Sequence, residues 1–305
     1  MKTDVHVVVT ARRPEVLKEM EEMGMTAIGL DVTDAESIAR CKEEVSELTG
    51  GKLDFLVNNA YVSPRFTPFT FYFPLPFTPT LPSPPLHSCI LTQNTSGLTH
   101  TVPATDIVLP DVRNTFETNL FAIMAMVQSF VPLLSAARGL ILNISSLSAR
   151  TPYVFGSVYC ATKAAVDAYS RTLRLELAPL GIRVMVAVTG TVRSNIASKT
   201  HRTLLPGSPY EPVRDVFEWR LTFSQNHGTV STDAYAEKVV SAAMRGEGWF
   251  GGLWGGSPKW FWAGGFSTGV WLGSWFGEWL FDMVFWRKFR VGEMARRIQE
   301  AKKTE

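Results

Sequence analysis

Three side chains have the types and spacing for proton transfer at an alcohol or carbonyl oxygen. Ser146 closes the run Asn143-Ile-Ser-Ser146, and Tyr159 and Lys163 bound the run Tyr159-Cys-Ala-Thr-Lys163. Twelve residues separate the serine from the tyrosine, and three separate the tyrosine from the lysine. A Tyr and a Lys four positions apart share one face of a helix. An ammonium beside a phenol favours the phenolate and draws its pKa down from about 10. That pairing makes a general acid/base, and the hydroxyl of Ser146 at a strand end can hold the substrate oxygen. A bare Tyr-x-x-x-Lys is common on helix surfaces. Here the strand-like GLILNIS (139–145) precedes it, and the small-residue helix pattern ATKAAVDAYSRTLRLELAPLG (161–181) contains its lysine.

Strands and helices must alternate to position these groups. VHVVV, AIGL, LDFLV, GLILNI and RVMVAV are short runs, apolar on both faces and bounded by turn or polar residues. Such runs read as buried parallel strands. PEVLKEMEEMG, AESIARCKEEVSEL and AVDAYSRTLRLELAPLG have helical spacing; Pro14 opens the first, and Gly24 and Gly181 close the first and third. The alternation predicts an α/β fold, a doubly wound parallel sheet of the Rossmann kind.

Further motifs stand in order along the chain: VHVVVTARRPE (5–15), IGLDVTD (28–34), LDFLVNNA (53–60), RNTFETNLF (113–121) and IRVMVAVTGTVRSNI (182–196). With the Ser-Tyr-Lys set they resemble the short-chain dehydrogenase/reductase family, from about Val5 to about Ser198. The resemblance implies a nicotinamide cofactor, with Tyr159 as proton donor, Lys163 lowering the tyrosine pKa and holding the ribose, and Ser146 orienting the carbonyl. It implies that Asn119 is a fourth catalytic residue ordering a water beside the lysine. It places Asp31 and Val32 at the adenine, Asn58 near the ribose, and Val192 and Ser194 at the nicotinamide carboxamide. After the family's second strand this chain has Ala11-Arg12-Arg13 where an NAD-binding member carries an acid. Arg12 can pair with a 2′-phosphate, so NADP(H) is the expected cofactor. Thr189-Gly190 replaces the usual Pro-Gly, and Tyr61 replaces the Gly after Asn-Asn-Ala. The Thr-Gly form, Ser194-Asn195 and the Trp-rich tail are similar to the subgroup with the fungal acyl-dihydroxyacetone-phosphate reductases.

Three departures complicate the pattern. The family's Gly-rich phosphate-binding turn should precede residue 5; its absence predicts an N-terminally truncated sheet lacking a central strand, with weak dinucleotide binding. Residues 61–105 contain no Asp, Glu or Lys, and eight of the 18 prolines fall between Pro64 and Pro85. Proline fixes φ and removes donors, so this stretch reads as a flexible insert or as a translated intron whose excision, over about 62–98, would restore the family's loop length. Residues 249–286 hold eight of the nine Trp, interleaved with Gly, and Arg287, Lys288 and Arg290 follow. Tryptophan favours a membrane–water interface; a buried or oligomer-facing cap and a spanning segment are the alternatives. The expected organisation is a Rossmann domain over 1–245, interrupted at about 62–98, and a membrane-proximal extension over 246–305. Its deletion from 249 is expected to leave the catalytic set intact.

A net charge of +2 does not argue for nucleic acid. Cys41, Cys89 and Cys160 are scattered, without metal-ligand or disulfide spacing, and read as a reducing compartment. The basic start lacks a long apolar stretch, so a cytoplasmic location is expected, or the surface of the endoplasmic reticulum or lipid droplets. The expected function is NADPH-dependent reduction of a ketone on a lipid-like or secondary-metabolite substrate, with peripheral membrane association and a homo-oligomer as further expectations. The competing expectation is a truncated, catalytically weak scaffold acting as a membrane-associated interaction protein.

Overall fold

A computed structural model describes residues 4–59, 87–93, 99–193, 202–248 and 255–303. Seven strands form one sheet: β1 (Asp4–Ala11), β2 (Thr26–Gly29), β3 (Phe55–Asn58), β4 (His87–Gln93), β5 (Leu140–Ser146), β6 (Arg183–Thr189) and β7 (Trp260–Ala263). Their order is β2-β1-β4-β3-β5-β6-β7, and every pairing is parallel. Alternate strand residues face opposite sides: Val8, Leu56 and Ile141 join one core, while Val9, Phe55, Leu140 and Leu142 enter cores on the other face.

Helices cover both faces. On the face of Val9, Phe55 and Leu140 lie α1 (Pro14–Glu22) and, later in the chain, α7 (Thr232–Ala243), which buries Val239, Ala242 and Ala243. The opposite face receives α2 (Ala35–Thr49), α4 (Ala122–Ala137) and α5 (Ser157–Leu177). Asp34 caps α2 by accepting from the Glu36 and Ser37 amides, and Gly50 ends it in the left-handed region. The run formed by α3 (Leu109–Phe116), a π-helical turn (Glu117–Phe121) and α4 is long and apolar enough to cross a membrane by length and composition. Its Ile123, Met126 and Phe130 instead pack in the core.

Two sequence expectations change. The sheet does not lack a central strand, because β4 lies between β1 and β3. It pairs with β1 from Asp4↔His87 to Thr10↔Gln93 and with β3 from Phe55↔Ile90 to Val57↔Thr92. The strand comes from within the segment read as an insert, so excision of 62–98 would remove it. Cys89, Ile90 and Leu91 are buried there. Two parallel edges whose N–H and C=O groups need partners recruit a short apolar run that follows the prolines. The flexible-insert reading of 62–86 and 94–98 lies outside the described residues.

The second change concerns the C-terminus. Its β7 extends the sheet beside β6, with Val186↔Trp260 to Thr189↔Ala263 in register. It is followed by α8 (Ser267–Gly273), α9 (Glu278–Lys288) and α10 (Val291–Ala301). Arg297 of α10 bonds Asp215 at 2.7 Å, tying the last helix to α6 (Arg214–Asn226). The segment from 246 onward therefore builds part of the sheet and is not a separable extension.

Candidate active site

All carboxyl ends of a parallel sheet lie on one edge, where ligands enter an open α/β sheet. Ser146 is the last residue of β5, and Thr189 the last of β6. Tyr159 and Lys163 occupy the first two turns of α5. Ser146, Tyr159 and Lys163 line one pocket on this edge. The Ser146 hydroxyl oxygen accepts from the Ser148 amide at 3.2 Å and from the Ser148 hydroxyl at 2.8 Å. Those bonds orient it and leave its own hydrogen available to a substrate oxygen.

Lys163 is buried and its Nζ donates to the Ile144 carbonyl at 2.9 Å. The ammonium lies 5.9 Å from the Tyr159 ring centroid. Burial pushes the lysine down to about 8, while nearby Asp167 opposes that shift. Asp167 is itself buried and bonds Arg150 at 2.8 Å. Arg150 stacks 4.8 Å over Trp260 of β7. An electrostatic chain thus runs from Lys163 to the strand that sequence reading assigned to an extension. Asp167 and Arg150 went unnoticed in the sequence, although Asp167 stands one helical turn beyond Lys163.

Asn119 sits in the π-helical turn and is fully buried. Its amide donates to the Thr162 hydroxyl at 3.2 Å, and that hydroxyl donates to the Tyr159 carbonyl at 2.8 Å. A π-turn inside a helix shifts one residue out of register, a device frequent at functional sites. Here it aims Asn119 at the helix of Tyr159 and Lys163.

The expected cofactor residues divide. Arg12 follows β1 and Asp31 follows β2; their side chains approach to 3.9 Å and are half exposed. Burial raises the Asp31 carboxyl most of any single cause, but bonds from the Thr33 hydroxyl and amide and the Arg12 charge together hold it below its usual value. An exposed guanidinium at this edge fits a phosphate, and a carboxylate beside it fits an amine or hydroxyl donor. Val32 is buried in the core, so its backbone is what it can offer a ligand. Asn58 is also fully buried, and its amide donates to the Asn143 side chain at 2.7 Å, cross-linking β3 and β5. Asn143 in turn donates to Ser170 of α5 at 2.8 Å. Val192 lines the same pocket as Ser146, Tyr159 and Lys163. Ser194 lies outside the described residues.

The loop carrying Val192 is braced by close backbone approach. Thr191 and Gly265 exchange two backbone bonds at 3.0 Å. A Cβ on Gly190 would lie 2.0 Å from the Gly265 carbonyl oxygen, so only glycine fits. The pocket's far wall was not legible in the sequence. Phe266, Val270, Phe285 and Lys288 line it from the C-terminal segment, and Arg220 lines it from α6. Deletion from 249 would therefore open the site. Arg220 stands on the buried face of α6 with Val216, Phe217 and Phe223. A cation on an apolar helical stripe was the one signal that could have found it.

Comparison with known proteins agrees with this geometry. A family profile described as short chain dehydrogenase matches residues 89–204. A short-chain dehydrogenase of Neurospora crassa is 33% identical over 303 residues, spanning 96% of this chain and 86% of the relative. An NADPH-dependent 1-acyldihydroxyacetone phosphate reductase of Schizosaccharomyces pombe is 30% identical over 268 residues, spanning 86% of this chain and 78% of the relative. Among solved structures, a short-chain dehydrogenase from Streptomyces avermitilis superposes with a TM-score of 0.64 at 23% identity, covering 94% of this chain and 88% of that one. Its likeness concerns the fold. With Ser146, Tyr159 and Lys163 gathered at the carboxyl edge of a parallel sheet, the chain belongs to the short-chain dehydrogenase/reductase family of oxidoreductases, which bind a nicotinamide cofactor.

Proposed function

We propose that this enzyme is an NADPH-dependent carbonyl reductase acting on an apolar ketone of lipid-like or secondary-metabolite character. The observation that carries it is the joint placement of Ser146, Tyr159 and Lys163 in one pocket walled by Phe266, Val270 and Phe285. Bound NADPH supplies the hydride. Ser146 donates to the carbonyl oxygen, Tyr159 delivers the proton, and the Lys163 ammonium stabilises the phenolate left behind. Arg12 is the residue to hold the 2′-phosphate, and the naming of the Schizosaccharomyces pombe relative as NADPH-dependent supports NADPH as the donor.

Arg12→Asp is expected to shift preference from NADPH towards NADH by roughly ten-fold or more, because a charge-assisted bond of about 1.5–3 kcal/mol is lost. Initial rates with each cofactor on a medium-chain ketone check it. An unchanged ratio would return Arg12 to the role of a surface partner of Asp31.

Peripheral membrane association completes the proposal. The outer faces of α8 and α9 and the turn between them expose Trp271, Leu272, Trp275, Phe276, Trp279 and Trp286, with Trp275 at 77%. Contiguous exposed aromatics of this kind mark interaction surfaces, and tryptophan suits the lipid interface. The inner faces of the same helices line the pocket, so a substrate dissolved in lipid has a short path to Tyr159. Lys288 is not part of the basic fringe, since its Nζ lies 3.9 Å over the Phe266 ring. Replacing Trp275 and Trp279 with serine is expected to reduce co-sedimentation with vesicles containing phosphatidylserine by roughly ten-fold or more. Protein that stays in the supernatant before any substitution defeats the membrane reading; a dimer in light scattering would then assign the face to a second copy.

A further inference from the structure

The catalytic pocket carries more positive charge than proton transfer needs. Beside Lys163, its described lining includes Arg202, Arg220 and Lys288 and contains no Asp or Glu. Arg202 already has a partner, Asp111, at 2.8 Å. Arg220 does not. It is 2% exposed, its guanidinium carbon lies 3.5 Å from the Tyr153 ring centroid, and its Nε and Nη2 atoms are buried without a hydrogen-bond acceptor. The Phe289 ring is on it as well, at 5.1 Å. Aromatic faces attract the charge but do not accept conventional hydrogen bonds from the several N–H donors of a guanidinium. Buried charges are ordinarily paired, since an unpaired one is costly to desolvate.

Lys288 reaches the same cluster from α9. Its Nζ lies 5.2 Å from the Phe223 ring, and Phe223 packs edge-on against Phe289 at 5.3 Å. Two cations from two elements thus converge on one aromatic wall of the catalytic pocket. Burial there depresses the Lys288 ammonium, as expected for a charge that waits on a counter-ion.

We infer that Arg220 and Lys288 form an anion subsite, which seats a carboxylate or phosphate group of the substrate while its carbonyl faces Tyr159. The substrate is then an anionic amphiphile: charge at Arg220 and Lys288, ketone at Tyr159, apolar chain along Val270 and Phe285. This inference rests on reading the pocket as a reductase site, but its test does not depend on turnover.

Three ligands of one chain length, decanoate, decyl phosphate and decanol, are titrated against the full chain by tryptophan fluorescence. Equal chain length cancels adsorption to the exposed tryptophans. One of the two anions is expected to bind at least roughly ten-fold tighter than decanol, the strength of a charge-assisted contact, and which anion wins separates carboxylate from phosphate. Arg220→Gln and Lys288→Gln should each remove that preference, and Arg220→Lys should restore part of it. A purely structural clamp between Tyr153 and Phe289 would change stability in Arg220→Gln without changing the ratio of anion to alcohol affinity. If Arg220→Gln does not fold, the half-buried Lys288 carries the same comparison. Equal affinity for all three ligands, or a preference that survives both substitutions, overturns the subsite. Activity is followed in parallel on a long-chain keto acid and its methyl ester. Reduction of both at equal efficiency, with no anion preference in binding, sinks the subsite and leaves the reductase reading. Anion preference without reduction of either does the reverse.

Discussion

Replacing Tyr159 with phenylalanine is expected to lower ketone reduction by about 10²–10⁴-fold, the usual contribution of a general acid. Cofactor affinity, read by NADPH fluorescence, should change little. The ring and its contacts survive, and only the transferable proton is lost. Three features make the effect large. The Lys163 ammonium lies 5.9 Å from the ring centroid and is buried, where its field on the phenolate is screened less than in water. Ser146 is held by two bonds from Ser148, so it is aimed before substrate arrives. Asn119, through Thr162, braces the turn of α5 that carries Tyr159. Turnover within a factor of about two of the parent would remove Tyr159 from the role of acid.

Loss of β4 is expected to be as damaging to the fold. Leu91 is fully buried at the centre of the sheet, opposite Val8 on one side and Leu56 on the other. Leu91→Ala should cost about 2–5 kcal/mol, from lost transfer energy and the cavity left behind. That corresponds to a fall in melting temperature of roughly 5 °C or more for a chain of this size. Excising 62–98 goes further. It removes β4, the strand between β1 and β3 in the sheet, and leaves two parallel edges with unpaired backbone in the core, so no cooperative unfolding transition is expected. Thermal denaturation followed by circular dichroism distinguishes the outcomes. A Leu91→Ala variant that melts with the parent, or an excised chain that still folds and reduces ketones, would show that β4 is dispensable.

What was legible without coordinates follows from short-range rules. Tyr159 and Lys163 meet because four residues make about one helical turn, and Ser146 joins them because β5 ends there. The five apolar runs read as buried strands became β1, β2, β3, β5 and β6 because parallel strands are apolar on both faces. The chain's placement in a doubly wound fold needed no contact between distant segments.

Tertiary structure alone decided the rest, and for one recurring reason: a short or unpatterned segment takes its role from the partner it meets. HSCILTQ (87–93) carries no strand signal stronger than many loops; the open edges of β1 and β3 assign it. Asn58 stands in a motif expected near the ribose, and the fold pairs its amide with Asn143, 85 residues away. The Trp-Gly segment resembles a lipid anchor by composition, yet pairing with β6 makes its first part a strand, and packing over the carboxyl edge makes the inner faces of α8 and α9 a pocket wall. Arg220 and Lys288, 68 positions apart, are unremarkable cations in sequence. Only the fold sets both against the Phe223–Phe289 pair beside Tyr159, because which face of a helix is buried depends on what lies across from it.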